Sequence, residues 1–147
     1  MNINIRNITN NDKERFLEMS RRFYSSDAVL HNIDDSCHLA TFSELRRSDE
    51  LAECFMIEAE GKVVGYTLLA KTFSREAGGA VVWIEELYFE PQYRGKGIGT
   101  AVFKWIEKNR PAARYRLEVE PENVAAKRLY KRLGYDVLPY EQMIKEK

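Results

Sequence analysis

Arg94-Gly95-Lys96-Gly97-Ile98-Gly99-Thr100 is the stretch on which the fold turns. Upstream, Ala80 to Glu90 is rich in Val, Ile, Trp, Tyr and Phe, the composition of a β-strand. Downstream, from Ile98 to Arg110, the apolar residues Ile98, Val102, Trp105 and Ile106 recur at helical spacing. The glycines therefore occupy a strand-to-helix turn. Three of them at alternate positions leave little side chain over the first helical turn, so unpaired backbone N–H groups and the positive end of the helix dipole can converge on an anion. The expected ligand is a phosphate or pyrophosphate. Two common phosphate signatures do not fit. Counting a dinucleotide fingerprint from Gly95 puts Thr100 where its third glycine belongs, and a Walker loop ends in Gly-Lys-Ser/Thr.

The run does fit Arg/Gln-x-x-Gly-x-Gly/Ala, with Arg94, Gly97 and Gly99 in the defined places. On its own this pattern is as compatible with a ligand-free glycine turn as with a binding loop. A second pattern follows about two dozen residues later: Asn123-Val-Ala-Ala126-Lys-Arg-Leu129-Tyr130-Lys-Arg-Leu133-Gly134-Tyr135. In this order and at this separation the two resemble the acetyl-CoA pyrophosphate loop and the Asn-x-x-Ala-x-x-x-Tyr-x-x-x-Gly-Phe/Tyr signature of the GNAT-type N-acetyltransferases. The resemblance is close from Ala80 to Tyr135 and elsewhere extends only to the order of elements. It implies an α/β (α+β) GNAT-like fold, a central mixed, mostly antiparallel sheet of six to seven strands flanked by about four helices. It also implies acetyl-CoA as acetyl donor, without a metal, and transfer to a primary amine.

Length and composition are compatible with that reading. A chain of 147 residues fits one domain, 1–147, and no linker divides it. Lys and Arg together number 23, as do Asp and Glu, so no global attraction to nucleic acid or membrane is expected. The charge is uneven, however. Residues 26–60 hold nine acidic and two basic side chains, whereas residues 91–135 hold eleven basic and four acidic ones. Solvated helix faces are the ordinary explanation. The functional one is a basic half for a polyanionic cofactor and an acidic half for a cationic acceptor. The two cysteines, Cys37 and Cys54, have neither metal nor redox spacing. The polar N-terminus is unlike a signal peptide, and no run reaches transmembrane length, so a cytoplasmic location is expected.

Taken in order, Asn2 to Ile8 alternates as a short strand, and Thr9 to Asp12 offer caps for a helix reaching about Ser25. An irregular segment with Asp27, His31, Asp34 and Asp35 precedes a second helix from about Ser36 to Arg47. By the resemblance, this helix-loop-helix forms one wall of the acceptor site, with Tyr24, Asp27, His31 and Glu85 as candidate acceptor contacts. Leu51 to Ala59 and Lys62 to Thr72 read as a hairpin about Glu60-Gly61, and Ala80 to Glu90 as a third strand ended by Pro91. Arg114 to Val119 is the next strand. Pro121 and Asn123 open a helix that places Ala126, Leu129, Tyr130 and Leu133 on one face and stops at Gly134. Tyr135 to Val137 and Tyr140 to Ile144 are expected as closing strands.

Glu85 and Glu86 interrupt an otherwise apolar strand, where carboxylates are seldom buried without a partner or a task. One could face solvent while the other is hydrogen-bonded to a neighbour. The chemical alternative rests on the amine: with a pKa of about 10.4, only roughly one molecule in a thousand is unprotonated near neutral pH. A glutamate whose pKa is raised by an apolar setting can take that proton. Glu85 comes first and Glu86 second, while Trp83 stands where the histone-type members of the family are similar in carrying Glu. The resemblance assigns Tyr130 to protonating the departing CoA thiolate, although its apolar face would also suit a core tyrosine. It further implies that Leu87, Tyr88 and Phe89 splay from the neighbouring strand and offer main-chain groups to pantetheine, a backbone N–H near Leu87 polarising the acetyl carbonyl. Arg94, Gly95, Lys96, Gly97, Ile98, Gly99 and Thr100 would hold the pyrophosphate, and Asn123 and Ala126 would contact the cofactor arm. His31 and His38 read as loop or surface residues, and no third ligand accompanies them at zinc spacing. The acceptor is expected to be a small cationic molecule ahead of a protein amine. A CoA-binding module without catalysis is the reading from another class, and a homodimer is left open.

Overall fold

In the computed structural model, which describes residues 1–147, the alternating stretches become strands and those with helical spacing become helices. β1 (Ile3–Asn7), β2 (Ala52–Ala59), β3 (Lys62–Ser74), β4 (Gly79–Phe89) and β5 (Arg114–Leu117) form one sheet in sequence order. The first four are antiparallel neighbours, and β5 lies parallel to β4. Glu60 and Gly61 connect β2 to β3 with φ of 51° and 79°, the backbone a two-residue hairpin turn demands. A parallel pair needs a crossover, supplied here by α3 (Ile98–Asn109).

The helices divide the core in two. On one face α1 (Lys13–Tyr24) and α2 (Asp35–Arg47) bury Phe16, Met19, Phe23, Phe42 and Leu45 against Met56, Tyr66, Leu68 and Tyr88. On the other, α3 buries Ile98, Val102, Phe103 and Ile106 against Phe55, Ile57, Leu69, Val82 and Ile84, and α4 (Val124–Arg132) adds Tyr130 at the margin.

One irregularity in β4 decides where the site forms. Leu68 pairs with Glu86 and Leu69 with Ile84, which leaves Glu85 as an extra residue with no partner on β3. A bulge of this kind resets the alternation and sharpens the twist. Val82 and Ile84 before it, and Leu87 and Phe89 after it, all pack on the α3 face. Glu86 and Tyr88 are thereby turned to the α1–α2 face, where an unbroken period of two would not have put them. The β4–β5 pairing stops at Ile84–Leu117, so the strands part from Glu85 onward and β5 ends before the expected Val119. On the other side of β4, β3 approaches closely: a Cβ on Gly65 would lie 2.2 Å from the Tyr88 carbonyl oxygen.

The two closing strands do not form, and the sheet has five strands where six to seven were expected. Val137, Tyr140, Met143 and Ile144 are all exposed, so the tail has no buried face to fix a register, and Pro139 has no ladder donor. Single side-chain bonds hold it instead, from the Tyr140 hydroxyl to Glu76 (2.8 Å) and from Gln142 Nε2 to Glu118 (3.0 Å).

Candidate active site

Where β4 and β5 part, the gap opens into a cleft of about 1490 Å³. Its floor is Ile84, Glu85, Leu87 and Phe89 of β4. One wall is Phe23 with the loop Ser26–Leu30, the opposite wall is Asn123, Ala126 and Tyr130, and the glycine loop closes one end. Of the residues expected from sequence, Asp27, Glu85, Leu87, Tyr88, Phe89, Arg94, Gly95, Gly97, Ile98, Gly99, Thr100, Asn123, Ala126 and Tyr130 meet here. Lys96, Glu86, Tyr24 and His31 do not line the cleft.

The glycine loop has the conformation that its composition implied. Gly95 and Gly97 adopt φ of 73° and 80°, the left-handed region costly for any side chain, and Gly97 is the N-cap of α3. The amides of the first helical turn have no partner four residues back, and that turn carries no acidic residue. A Cβ at Gly99 would meet only ordinary contacts, Leu129 Cδ2 at 3.5 Å and Phe89 Cε2 at 3.8 Å. Nothing in the chain itself excludes a side chain there; its absence leaves room beside the free amides. Arg94 donates from Nε to the Phe89 carbonyl (2.9 Å) and lies 5.5 Å over the Tyr88 ring, so the cation is braced at the loop. Lys96 points elsewhere, its Nζ 5.9 Å from the Tyr93 ring. These donors, the helix N-terminus and the missing side chains fit a pyrophosphate.

Beyond the loop, the exposed edge of β4 supplies main-chain groups. The Glu90 N–H donates to Val64 O at 2.8 Å. Antiparallel alternation therefore turns the N–H groups of Leu87 and Phe89 toward the opposite edge, where β5 has departed. Asn123 spends its side-chain oxygen on the Ala126 amide as the α4 cap (3.2 Å), which leaves its NH₂ for a ligand. Tyr130 stands against Phe103 and Tyr135, at ring separations of 5.7 and 6.2 Å. Its hydroxyl makes no hydrogen bond within the chain, and burial raises its pKa above the ordinary phenol value, so it stays protonated.

The two glutamates have separate environments. Glu85, freed by the bulge, is open to the cleft, yet the surrounding protein raises its carboxyl above the usual value and the like charge of Glu118 adds to this. Glu118 follows Leu117, the last residue paired to β4, so the two carboxylates flank the point where the strands part. Glu86 is buried. It accepts from Tyr66 (2.6 Å) and Tyr24 (3.2 Å), and burial raises its pKa against the effect of those bonds. It therefore faces the α1–α2 core and not the cleft. His38 is also buried, bonded through Nδ1 to the Ser20 hydroxyl at 2.6 Å, which corrects its reading as a loop or surface residue.

Charge reaches the cleft from an unexpected quarter. Of the acidic residues between 26 and 60 only Asp27 lines it. Asp35, Glu44, Glu53 and Glu58 are held in ion pairs with Arg21, Arg47, Arg110 and Arg6. The remaining acidity at the cleft is Glu85, Glu118, Glu120 and Glu122, and its basic side is Arg94, Arg128 and Arg132. The run Glu118-Val-Glu120-Pro-Glu122 is plain in the sequence, but only the parallel register at Ile84–Leu117 shows that it lines the cleft.

No helix is long and apolar enough to cross a membrane. Among known proteins, the chain is 34% identical over 136 residues to an uncharacterized N-acetyltransferase of Methanocaldococcus jannaschii, covering 90% of this chain and 60% of that relative. It is 41% identical over 81 residues to the thialysine N-epsilon-acetyltransferase of Mus musculus, covering 52% of this chain and 47% of that one. The chain thus spans about half to three fifths of the length of these curated relatives. The crystal structure of a possible acetyltransferase from Clostridium difficile 630 superposes with a TM-score of 0.82 at 22% identity, over 98% of this chain and 97% of that one, which shows the fold is shared. The sequence profile of the acetyltransferase (GNAT) family matches residues 13–135, most of the chain and every wall of the cleft: the protein belongs to the acetyltransferase (GNAT) family.

Proposed function

We propose that this chain transfers the acetyl group of acetyl-CoA to a primary amine of a small cationic molecule, with both substrates bound at once. One observation carries the reading. The bulge at Glu85 and the end of pairing at Ile84–Leu117 set a carboxylate, an unpaired strand edge and the Tyr130 hydroxyl around one gap that runs on to the α3 N-terminus.

The glycine loop, with Arg94, holds the pyrophosphate of the acetyl donor, and the edge of β4 receives its pantetheine arm. Glu85 takes a proton from the incoming ammonium, directly or through one water. The freed lone pair attacks the carbonyl carbon, and the Leu87 N–H stabilises the charge that grows on the carbonyl oxygen. As the carbon–sulfur bond breaks, Tyr130 donates its proton to the departing thiolate, and the second proton shed by the amine nitrogen as it becomes an amide returns through water to the Tyr130 phenolate. Proximity of the two bound substrates replaces any covalent enzyme intermediate. Asp27, Glu118 and Glu120 give the acceptor end a negative potential, which favours a substrate that carries more than one positive charge. The mouse relative named for thialysine, a small diamino acid, matches this chain over part of its length and supports that class.

Thiol release from acetyl-CoA, measured with thialysine, spermidine, glucosamine and a lysine peptide, tests the reading alongside calorimetric titration of CoA. Amine-dependent release that favours the small multiply charged amines is the expected result. CoA binding without release on any of them would replace the enzyme with a binding module, and preference for the peptide would replace the acceptor class.

A further inference from the structure

Glu86 is a buried carboxylate that the proposed chemistry does not use, since it does not line the cleft. Its two oxygens are taken by hydroxyls from different elements, Tyr66 of β3 at 2.6 Å and Tyr24 of α1 at 3.2 Å. The first bond lies within the sheet. The second joins the sheet to a helix. Tyr24 is the last residue of α1, and the loop that starts immediately after it contributes Ser26 to Leu30 to the cleft.

Apart from Val29, which packs against the α1–α2 core, that loop has few other attachments. The hydrogen bonds of residues 25–33 are local: Ser25 and Ser26 to the last turn of α1, Ala28 to Ser26, Asn32 to Ser25 and Ile33 to Asn32. The far end is tied to α1 through α2, by Ser20 to His38 at 2.6 Å and Arg21 to Asp35 at 2.8 Å. The Tyr24 ring packs edge-on against His38, with centroids 5.6 Å apart. Both ends of the loop therefore follow the end of α1. Besides the packing of Phe23 in the core that holds Tyr88, the polar links of that end to β4 are Arg22 with Glu90 at 3.0 Å, a pair whose arginine is half exposed, and Tyr24 with Glu86 on the buried side.

We infer that Glu86 is a positioning residue: through Tyr24 it holds the α1–α2 loop, and with it the acceptor wall of the cleft, in register with the catalytic strand. The inference rests on the reading of the cleft as an amine site. Glu86 directly follows Glu85 in the chain, so one strand segment presents the proposed base to the cleft and, at the next residue, anchors the wall formed by the α1–α2 loop. A loop that swings relative to β4 loses productive contacts with the amine. It leaves the glycine loop, at the other end of the cleft, unaffected.

Two variants test this. Tyr24→Phe keeps the ring contacts and removes one hydroxyl, and Glu86→Gln keeps the size and removes the charge. Hydrogen exchange of the ligand-free protein reads the tether without any substrate, and residues 25–33 are expected to exchange faster in both variants. With the amine that the wild type turns over fastest, KM for the amine is expected to rise roughly threefold to tenfold, the effect of one hydrogen bond. Over the same comparison kcat stays within about twofold, and CoA titrates as in the wild type. Unchanged exchange in Tyr24→Phe overturns the tether. Faster exchange with an unchanged amine KM overturns the role of this loop as acceptor wall. Loss of kcat by about a hundredfold in Glu86→Gln, with KM unchanged, makes Glu86 a proton carrier and overturns the positioning role. A wild type that turns over no amine defeats the proposed reaction instead, and the exchange comparison still decides the tether.

Discussion

Replacing Tyr130 by Phe removes one oxygen from a position where the structure isolates its effect. The ring rests on Phe103 and Tyr135 at 5.7 and 6.2 Å, contacts that phenylalanine keeps. The hydroxyl has no partner in the chain, so no donor or acceptor is orphaned, and the stability change should stay within about 0.5 kcal/mol. Any large effect is then chemical. A positioned general acid contributes at least about a hundredfold, or ~2.7 kcal/mol of transition-state stabilisation. A thiolate leaves more readily than an alkoxide, so the lower end of the range applies. Thiol release under saturating acetyl-CoA and amine should show kcat reduced by about two orders of magnitude, with the thermal midpoint and the CoA affinity unchanged. Because burial keeps the phenol protonated, the wild-type rate should fall only at strongly alkaline pH, and the variant should lack that limb. A kcat within about twofold of wild type would refute the assignment and leave Tyr130 a wall residue.

Other expectations follow from the same geometry. Glu118→Gln removes the like charge that helps hold Glu85 above the ordinary carboxylate value; since a base acts when deprotonated, the acid limb of kcat/KM should move to lower pH, and an unmoved limb would separate the two carboxylates. Gly97→Ala places a side chain at φ 80°, which costs about 1–2 kcal/mol and should weaken CoA about tenfold by titration, with the amine KM little changed. Arg110→Ala leaves the buried Glu53 carboxylate with Lys71 (2.5 Å) after losing a bidentate partner at 2.7 and 2.8 Å, and denaturant unfolding at neutral pH should show a loss of about 1.5–3 kcal/mol, the range for hydrogen bonds to a charged group. Burial alone would raise the Glu53 pKa, but the bonds from Arg110 and Lys71 override it and hold it low. Its contribution is thus present above the ordinary carboxylate pKa and lost as pH falls through the depressed one, so wild type and variant should converge in acid.

The order of elements as far as α4, the hairpin at Glu60-Gly61 and the glycine turn before α3 were legible in the sequence, because each rests on local rules: positive φ for glycine, apolar periodicity, capping; the signature in α4 was legible only through its resemblance to a family. Helical and strand periods are set by neighbours a few positions apart, and a chain reports those directly. Four features needed the tertiary structure. Glu85 and Glu86 look alike on paper, and only the pairing of Leu68 and Leu69 with residues on either side of Glu85 sends one to the cleft and the other to the core. The acidic stretch 26–60 looks like a substrate surface, yet only Asp27 of it lines the cleft, and Asp35, Glu53 and Glu58 are taken up by arginines remote in sequence, Arg21, Arg110 and Arg6. His38 carries no sequence signal of burial, since its partner Ser20 lies on another helix. The tail 136–147 has the apolar residues of strands but no face to bury them against. Local chemistry thus determined which elements form and where the glycine turn falls, whereas the register of distant strands decided which side chains meet, because a shift of one residue in a strand turns a side chain to the opposite face.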